Sequence, residues 1–300
     1  MYKVAILLPV FNNLEFTQKC IRLLDEEAVQ VKFTNCSFHV VVVDDGSTDG
    51  TGAWLAKNYP GIHVCKGDGD LWWSGGVNLG ANYAMEEMGA DFLLLWNNDV
   101  THSGDYFEQI DRLLAEPEDM TLYGSKIYFA GDQGLIWSYG GIFDPQKGKK
   151  LMLGFNQKDG IAFQDPVEVD WLPGMGTLIP VGALKIVGYW DAENFPQYHG
   201  DSDFTYRARK AGFHNMVLPH LILWNDKTNS GLTHGNSLQG LYKSLFSIRS
   251  NDNVKKNILF YRRHASSVRA YGYLLRYYFL MIGGFLKWKM LSLLGIKKTK

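Results

Sequence analysis

Polar side chains capable of binding a ligand follow three short apolar runs in the first hundred residues. Asn12, Asp45 and Asp99 each stand at or just beyond the end of such a run. Continuous apolar runs of this length, bounded by polar turns, are typical of strands buried on both faces of a parallel sheet. Because ligands bind at the carboxyl ends of such strands, we expect Asp45 to contact a base or a ribose hydroxyl.

The residues after Asp45 also have a purely structural interpretation. Ser47, Thr48 or Asp49 can cap the helix that follows, because their side-chain oxygens accept from free helix amides. We favour this interpretation for residues 47–51 and the functional one for Asp45.

Apolar periodicity between these runs predicts alternating strands and helices. This alternation predicts a doubly wound α/β sheet. The predicted strands are residues 3–10, 38–44, 62–65 and 92–96, and the predicted helices are residues 15–27, 50–58, 76–88 and 204–211.

Two strings, PVFNN from Pro9 and VVVDDGSTDGT ending at Thr51, resemble the family 2 glycosyltransferases of GT-A fold. The resemblance implies a Rossmann-like, mostly parallel sheet with helices on both faces, and we expect a C-terminal helical tail besides. It also implies that Pro9, Phe11 and Asp45 hold the nucleotide base, with Asn12 beside them.

A glycine-rich stretch, LWWSGGVN, follows from Leu71. Free amides at a helix start favour anions, so a diphosphate is predicted near Gly75 and Gly76. The family has a similar glycine-rich element, which implies that Asn78 also contacts the nucleotide sugar. Trp72 and Trp73 fit either core packing, the more frequent role of paired tryptophans, or a platform for a sugar.

The run of residues 92–96 ends in Asn97-Asn98-Asp99, where the family usually has D-x-D. The resemblance implies that Asp99 binds Mn²⁺ or Mg²⁺, which neutralises a diphosphate leaving group. Asn97 replaces the first acid, so it is expected to contact the ribose or a metal-bound water, and one charge fewer predicts weaker metal affinity. Asn98 is grouped with the nucleotide-sugar contacts, although Asn98-Asp99 is also compatible with a simple turn.

The string HGDSDFTYR is similar to the family pattern E-D-x-D-[LF]-x-x-R, with Gly200 where Glu is common. Asp203 is placed to cap a helix and to pair with Arg207. Asp201 is therefore assigned as the general base that deprotonates an acceptor hydroxyl during one inverting displacement. Gly174, in a glycine-containing loop, is expected to lie beneath the sugar and acceptor.

Three histidines are candidates for further contacts with the metal, the diphosphate or the acceptor. His234 lies in a polar loop after the last predicted strand and is a candidate metal or diphosphate ligand. His199 adjoins Asp201 and is expected to touch the acceptor, whereas His220 fits a structural strand position. Each also has an ordinary structural explanation.

The C-terminal segment, residues 252–300, is strongly basic, unlike the rest of the chain. It holds eleven Lys and Arg residues and one acid, a charge of +10 in a chain whose net charge is −1. Its longest uncharged apolar stretch, residues 277–286, is too short for the ~20 residues of a spanning helix. Basic and aromatic residues interleave here, which favours a peripheral membrane contact over packing on a second subunit. No nucleic-acid module accompanies the patch.

Cysteine usage and the N-terminus indicate a compartment. The three cysteines show no C-x-x-C spacing, which argues against a disulfide scaffold or a zinc site. No signal peptide is evident. We expect a cytoplasmic protein on the inner face of the cell membrane.

Taken together, the patterns predict one catalytic unit with two lobes and a tail. Residues 1–120 are expected to bind the nucleotide sugar, residues 121–250 to hold the acceptor and the base, and residues 251–300 to form a basic amphipathic tail. The predicted function is transfer of a sugar from a UDP-sugar or dTDP-rhamnose to a glycan or lipid-linked acceptor. A non-catalytic sugar-nucleotide-binding or scaffold protein is the alternative, while a nucleotidyltransferase lacks its basic glycine-rich loop. Homo-oligomerisation is left open.

Overall fold

Four parallel strands form the part of the sheet that carries the predicted nucleotide site. The computed structural model describes residues 1–226 and 237–294. β1 (Tyr2–Val10), β2 (Cys36–Asp44), β3 (His63–Lys66) and β4 (Phe92–Leu95) lie in the order β3-β2-β1-β4. Their carboxyl ends therefore meet at one edge, as the apolar runs predicted.

Within the described ranges, seven further strands extend this sheet to eleven strands, and most of the added pairings are antiparallel. β12 (Thr177–Pro180) pairs antiparallel with both β4 and β6 (Thr121–Phe129), and β13 (His214–Asn225) runs parallel to β6. The chain thereby brings the ends of β4 and β13 to neighbouring positions through β5 (Val100–His102), which pairs with β13. The added strands are β5 (Val100–His102), β6 (Thr121–Phe129), β7 (Asp132–Ser138), β10 (Gln157–Lys158), β11 (Val167–Glu168), β12 (Thr177–Pro180) and β13 (His214–Asn225).

Helices cover both faces of the sheet, and alternate side chains of β1 are therefore buried on opposite faces. Ile6 and Leu8 pack with the helices of one face, and Ala5 and Leu7 with those of the other. The predicted α/β class with helices on both faces is thus confirmed. The first face carries α1 (Leu14–Leu24), continued by a π-helical turn (Asp25–Val29), α2 (Thr51–Asn58) and α4 (Tyr106–Leu113), and the second carries α3 (Trp72–Glu86), α5 (Val181–Val187) and α6 (Gly200–Lys210).

Two predicted helix starts are wrong by four residues. α3 begins at Trp72 instead of Gly76, and α6 begins at Gly200 instead of Phe204. The glycines of α3 serve close packing: a Cβ on Gly76 would lie 3.1 Å from the Cβ of Pro9, and one on Gly80 would lie 3.0 Å from a Val43 methyl. The helix therefore lies directly on β1 and β2.

A second compact unit contains the described residues 143–151 and 237–294. It consists of the tip of a hairpin, β8 (Gly141–Asp144) and β9 (Lys149–Met152), with α7 (Leu238–Phe246), α8 (Val254–His264) and α9 (Val268–Leu293). Side chains of Ser237, Asn253 and Ser267 accept from helix amides at the three helix starts. None of the helices described in the chain combines the length and apolar content needed to cross a membrane. The predicted helical tail is present, whereas the functional boundaries at residues 120 and 250 stay predictions.

The start of β2 is held by one carboxylate from α4. Asp111 is buried and accepts from the amides of Asn35 and Cys36 at 2.7 and 3.0 Å, and from that of Thr34 at 3.3 Å. Burial raises the pKa of Asp111, but these hydrogen bonds together lower it by more than burial raises it. The pKa of Asp111 therefore lies below the ordinary value. The ionised form is therefore the one that stabilises the fold.

Replacing this carboxylate is expected to destabilise the chain in a pH-dependent way. Asp111→Ala leaves the buried amides without their acceptor and is expected to cost ~2–4 kcal/mol of unfolding free energy at pH 7. Because the folded pKa is depressed, the difference from wild type should shrink as the pH falls below about 4. Urea unfolding measures both quantities. Glu108→Ala, on the exposed side of the same helix, should cost no more than ~0.5 kcal/mol, and a pH-independent penalty at Asp111 would contradict the assignment.

Candidate functional site

The first two motifs form one hydrogen-bonded loop structure. The side-chain oxygen of Asn12 accepts from the backbone amide of Thr48 at 2.9 Å, and the backbone amide of Asn12 donates to the Ser47 hydroxyl at 2.8 Å. Asp49 accepts from the amide of Leu14 at 2.8 Å, at the start of α1. Oδ1 of Asp49 accepts from the amide of Thr51 at 3.1 Å, the first residue of α2, so the capping role favoured for residues 47–51 is found at Asp49. The side-chain carbonyl oxygen of Asn12 is already engaged. Its predicted nucleotide contact stays a prediction.

Phe11 and Pro9 occupy different environments beside these loops. Phe11 is 47% exposed, so its ring is accessible for stacking on a base. Pro9 packs under α3 against Gly76. The base contacts predicted for both residues stay predictions.

Asp45 connects the end of β2 to the start of α3. It is buried, and its carboxylate accepts from the amide of Gly69 at 2.8 Å and from those of Leu71 and Trp72 at 3.0 and 3.1 Å. A carboxylate at a helix N-terminus satisfies free amides and opposes the helix dipole. Sequence reasoning did not foresee this role, and the predicted base contact stays a prediction.

The geometry does not supply the free helix-start amides predicted at the glycine-rich stretch. Because α3 begins at Trp72, the amide of Gly75 donates to the Leu71 carbonyl at 3.1 Å, and Gly76 lies inside the helix. Both polar groups of the Asn78 side chain bond to the backbone of Trp190, at 2.8 and 3.0 Å. These three residues therefore serve packing and the connection of α3 to the segment after α5, and their predicted contacts with the nucleotide sugar stay predictions.

Trp73 contacts two other parts of the predicted site. Its indole N–H donates to Oδ1 of Asn97 at 3.1 Å. Its ring lies against the backbone of Gly174, so closely that a Cβ added to that glycine would be only 2.3 Å from Cζ2 of Trp73. Trp72 has a left-handed backbone (φ 57°) and donates its indole N–H to Asp70 at 2.8 Å. Trp73 is thus a packing residue that also orients a site side chain, and a sugar contact stays a prediction for both tryptophans.

The same chain of contacts reaches Asp201, the predicted general base. The amide of Gly174 donates to Oδ2 of Asp201 at 3.0 Å, and the amide of Ser202 donates to Oδ1 at 2.7 Å. The structure therefore brings Asn97, Trp73, Gly174 and Asp201 together, although they are far apart in sequence. His199, immediately before α6, is buried with a left-handed backbone (φ 67°).

Asp203 has the structural role predicted for it in part. Its carboxylate is fully buried and pairs with Arg207 at 2.9 Å, while Arg207 also donates to the carbonyls of Val187 and Tyr189. Because α6 starts at Gly200, Asp203 lies in the first turn, and the cap position is occupied by His199. The pairing prediction is confirmed, and the capping prediction is wrong.

The end of β4 presents one carboxylate oxygen suited to a cation. Asn98 donates its side-chain amide to Thr17 at 3.1 Å and so points to α1. Oδ1 of Asp99 is buried without a hydrogen-bond partner among the described residues. Burial and the nearby carboxylate of Asp226 raise the pKa of Asp99 to about 6. A buried oxygen acceptor next to a second carboxylate fits a hard divalent cation.

Asp226 is the residue that sequence reasoning missed. Its amide donates to the Asp99 carbonyl at 3.0 Å, because β13 ends beside β5. A carboxylate directly after a long apolar strand was the available signal. His234 lies outside the described residues, and those residues contain no group of three His, Cys, Asp or Glu side chains arranged for a metal.

Gly200 departs from the family pattern for a steric reason. A Cβ there would lie 2.2 Å from Oγ of Ser74 and 3.0 Å from the carbonyl of Phe195. Ser74 itself is fixed, since its hydroxyl donates to the Phe195 carbonyl at 2.6 Å and its amide to that of Pro196 at 2.8 Å. The start of α3 thus occupies the space that a larger residue at position 200 requires.

Comparison with known proteins identifies relatives of both the sequence and the fold. Residues 5–168 match the sequence profile of a family described as Glycosyl transferase family 2. No curated protein matches the chain significantly.

Solved structures resemble the chain at low sequence identity. A crystal structure of S. aureus TarS 1-349 is similar with a TM-score of 0.53 at 17% identity, covering 75% of this chain and 60% of that chain. A structure of GalNAc-T7 with UDP, GalNAc and Mn²⁺ has a TM-score of 0.57 at 11% identity, covering 75% of this chain and 44% of that one. The chain therefore spans less than two thirds of either structure, and the likeness confirms the predicted GT-A fold.

The crowding at Gly200 predicts a coupled pair of substitutions. Gly200→Ala should cost ~2–3 kcal/mol of unfolding free energy, because Ser74 must leave its hydrogen bond to Phe195. In a Ser74→Ala background the same change should cost at least ~1 kcal/mol less. Denaturant unfolding of the four proteins gives the coupling. Gly182→Ala, a helical glycine with open space around it, should be neutral or stabilising, and additive penalties at 74 and 200 would refute the steric explanation.

Proposed function

The chain belongs to glycosyl transferase family 2, and on that premise we propose that it transfers a sugar from a nucleoside-diphosphate sugar to a hydroxyl group. The proposed acceptor is a glycan or a lipid-linked saccharide in surface polysaccharide synthesis. The proposed stereochemistry is inversion, through a single displacement at the anomeric carbon.

The observation that carries this proposal is the chain of contacts from the end of β4 to Asp201. Asn97 accepts from Trp73, the Trp73 ring lies against Gly174, and Gly174 donates to Asp201. A strand end suited to a nucleotide diphosphate and a carboxylate suited to a proton transfer are thereby held on one rigid path. Transfer chemistry requires that pairing, because donor and acceptor must be aligned before reaction.

Asp201 is the proposed general base. Two backbone amides orient its carboxylate, and an acceptor hydroxyl bonded to it would lose its proton as the oxygen attacks the anomeric carbon. The bond from that carbon to the diphosphate oxygen breaks in the same step. One carboxylate suffices for this course, since inversion requires no covalent intermediate on the protein.

Asp99 and Asp226 are the proposed cation ligands, with His234 as a further candidate. Oδ1 of Asp99 fits such a role because it is buried and has no partner in the described chain. A bound Mn²⁺ or Mg²⁺ would neutralise charge on the departing diphosphate. Uridine nucleotides are the first donors to test, because TarS has been solved with UDP-GlcNAc and GalNAc-T7 with UDP and Mn²⁺. dTDP-rhamnose is the second proposed donor.

A second candidate function is non-catalytic binding of a nucleotide sugar. Asn97 and Gly200 favour it, since both stand where the family commonly has an acid. Asp99 and Asp201 count against it, because a binding protein needs neither a cation ligand nor a base at these positions.

Asp201→Asn separates the two functions. With Mn²⁺, a panel of UDP-, dTDP- and GDP-sugars and a glycolipid extract as acceptor, we expect wild type to release one nucleoside diphosphate. The variant should lose ~10²–10⁴-fold in turnover while its nucleotide affinity changes by less than about threefold. Calorimetry measures the affinity. Glu193→Gln, an exposed acid in the preceding loop, should behave as wild type. Binding without release by wild type would favour the non-catalytic function, and equal loss of binding and turnover would remove Asp201 as the base.

We also propose that the second compact unit, which contains α7, α8 and α9, contacts an anionic membrane surface from the cytoplasmic side. On α9, large exposed apolar residues recur at intervals of 4, 7, 4 and 3, which places them along one side of a helix. Ala270, Leu274 and Tyr278 are buried on another side. The exposed stripe is Leu275, Phe279, Leu286, Met290 and Leu293, and exposed Arg269, Arg276 and Lys287 flank it.

An apolar stripe flanked by cations is typical of a helix that lies in a membrane interface. Leu275 and Phe279 are 73% and 74% exposed, so burial in lipid would remove a large apolar area from water. Each flanking cation adds about 1 kcal/mol near anionic lipid. A second copy of the chain is the competing occupant, and a homo-oligomer formed through this stripe would compete with the membrane for it.

Substitution of the stripe should release the protein from vesicles. The triple variant Leu275→Gln, Phe279→Gln, Leu286→Gln is expected to bind vesicles of phosphatidylglycerol and phosphatidylcholine at least ~10-fold more weakly than wild type. Sedimentation of vesicles measures the bound fraction. Val31→Gln, Ile161→Gln and Ile186→Gln, which alter exposed apolar residues outside α9, form the control triple. Unchanged vesicle binding with loss of a dimer in sedimentation velocity would assign the stripe to a second subunit instead.

A further inference from the structure

Lys126 is a buried cation in β6, a strand that carries none of the residues proposed for catalysis. Its side chain is only 2% exposed. Its ammonium group donates to both carboxylate oxygens of Asp159, at 3.1 and 3.0 Å, and to the carbonyl of Phe163 at 2.8 Å. Within the described ranges, all three acceptors of this cation therefore belong to one short segment of the chain.

That segment, the 159–165 loop, is anchored to the sheet at both ends. At its start, Asp159 also accepts from the Tyr128 hydroxyl at 2.5 Å. At its end, the Tyr139 hydroxyl donates to the carbonyl of Asp165 at 2.6 Å. The loop is thus tied to β6 and to the residue that follows β7, and its middle part is held between two fixed points.

An ion pair holds the first anchor, although an apolar contact could also pack a loop there. Burial raises the pKa of Asp159, but hydrogen bonds from Tyr128 and Lys126 and the charge of Lys126 lower it by more, so the carboxyl is ionised. Taking two charges out of water is costly, and an apolar pair of similar volume often stabilises a fold as well or better. The ion pair differs from such a pair in that its hydrogen bonds allow one position of the loop.

The 159–165 loop lies on the face of the sheet that carries the proposed base. Tyr128 and Phe204 of α6 belong to the same buried apolar cluster, and Phe163 and Trp73 both pack against it. Asp201 is in the first turn of α6, three residues before Phe204. The loop and the base are therefore on the same side of the sheet.

The loop also lies across β4 from the strands with the proposed nucleotide contacts. In the sheet order β10-β7-β6-β12-β4-β1-β2-β3, the strands that hold the loop are on one side of β4 and β1, β2 and β3 are on the other. β6 ends at Phe129 beside the end of β13, after which Asp226 bonds to Asp99. The proposed single displacement requires the attacking oxygen to approach opposite to the departing diphosphate. This requirement places the acceptor on the side of β6.

We propose that the 159–165 loop is a wall of the acceptor subsite and contacts a sugar ring of a saccharide acceptor, with Lys126 and Asp159 as the positioning residues that hold it. Between its anchors the loop exposes Ile161, at 93%, and Ala162. Their apolar side chains suit the C–H face of a sugar ring, because contact removes apolar surface of both from water. The inference rests on the proposed function, since it assigns part of the acceptor subsite of the same reaction.

Removal of the whole polar anchor separates positioning from stability. Asp159→Asn leaves the buried ammonium group without its counter-charge and should lower the urea midpoint. The triple variant Lys126→Met, Tyr128→Phe, Asp159→Leu removes all three polar partners and should unfold at a higher urea concentration than Asp159→Asn. Peptides covering residues 157–165 should nevertheless exchange amide hydrogens at least ~10-fold faster in the triple variant than in wild type. Unchanged exchange would overturn the positioning role.

Kinetics of the triple variant test whether the held loop serves the acceptor. The probes are the donor that wild type uses with Mn²⁺ and the glycolipid extract. The extract concentration for half-maximal transfer should rise ~10-fold, while the donor KM and acceptor-free donor hydrolysis change by less than about twofold. A merely structural anchor would affect donor and acceptor alike, so equal increases for both would overturn the proposal.

Ile161→Ser tests the contact without touching the anchors. Loss of an exposed apolar side chain should leave the urea midpoint unchanged and raise the half-saturating extract concentration ~3- to 10-fold. Ile186→Ser makes the same chemical change at an isoleucine of α5 that is 62% exposed, and it should alter neither quantity. Identical acceptor kinetics for the two variants would overturn the contact.

The proposed function and the acceptor wall fail through different results. If wild type transfers sugar but neither the triple variant nor Ile161→Ser changes the half-saturating extract concentration, the transferase function stands and the acceptor wall is wrong. If wild type releases no nucleoside diphosphate from any donor in the panel, the proposed function is wrong and the acceptor wall fails with it.

Discussion

A single buried carboxylate, that of Asp45, determines where α3 begins, and most of the candidate site depends on that helix. Its oxygens accept from the amides of Gly69, Leu71 and Trp72. A buried charge is costly unless hydrogen bonds satisfy it, and a helix start leaves amides that need acceptors. Each requirement meets the other here. The left-handed backbone of Trp72 (φ 57°), which costs energy in a non-glycine residue, is held by the same contact.

From that start, successive residues of α3 reach different parts of the fold. Trp73 contacts the end of β4 and the Gly174 loop, while Ser74 is bonded to residues 195 and 196 ahead of α6. Gly76 then allows the helix to lie on β1. Because one rigid helix makes all these contacts, the distance between the strand ends and the carboxylate of Asp201 is set by backbone packing. Preorganisation of this kind lowers the cost of aligning two reactants.

The sequence predicted the elements that apolar runs define and missed the boundaries that long-range contacts define. β1, β2, β3 and β4 were located to within two residues, since a buried strand needs a continuous apolar run. The start of α3 was missed because its acceptor, Asp45, stands more than twenty residues earlier, and local glycines suggested a start at Gly76. Asp226 follows a long apolar strand, but that signal does not tell which other strand end it joins, because only the pairing of β13 with β5 brings it to Asp99.

The interlocked loops after β1 and β2 carry a consequence for how such sequences can change. Asn12 and the Ser47-Thr48 pair bond to each other in both directions, and Asp49 bonds to Leu14 across the same gap. A variant that replaces either loop with one lacking these side chains would leave backbone amides of the other without acceptors. The two motifs therefore form one structural unit despite the thirty-odd residues between them, and a chimera that divides them would separate its two halves.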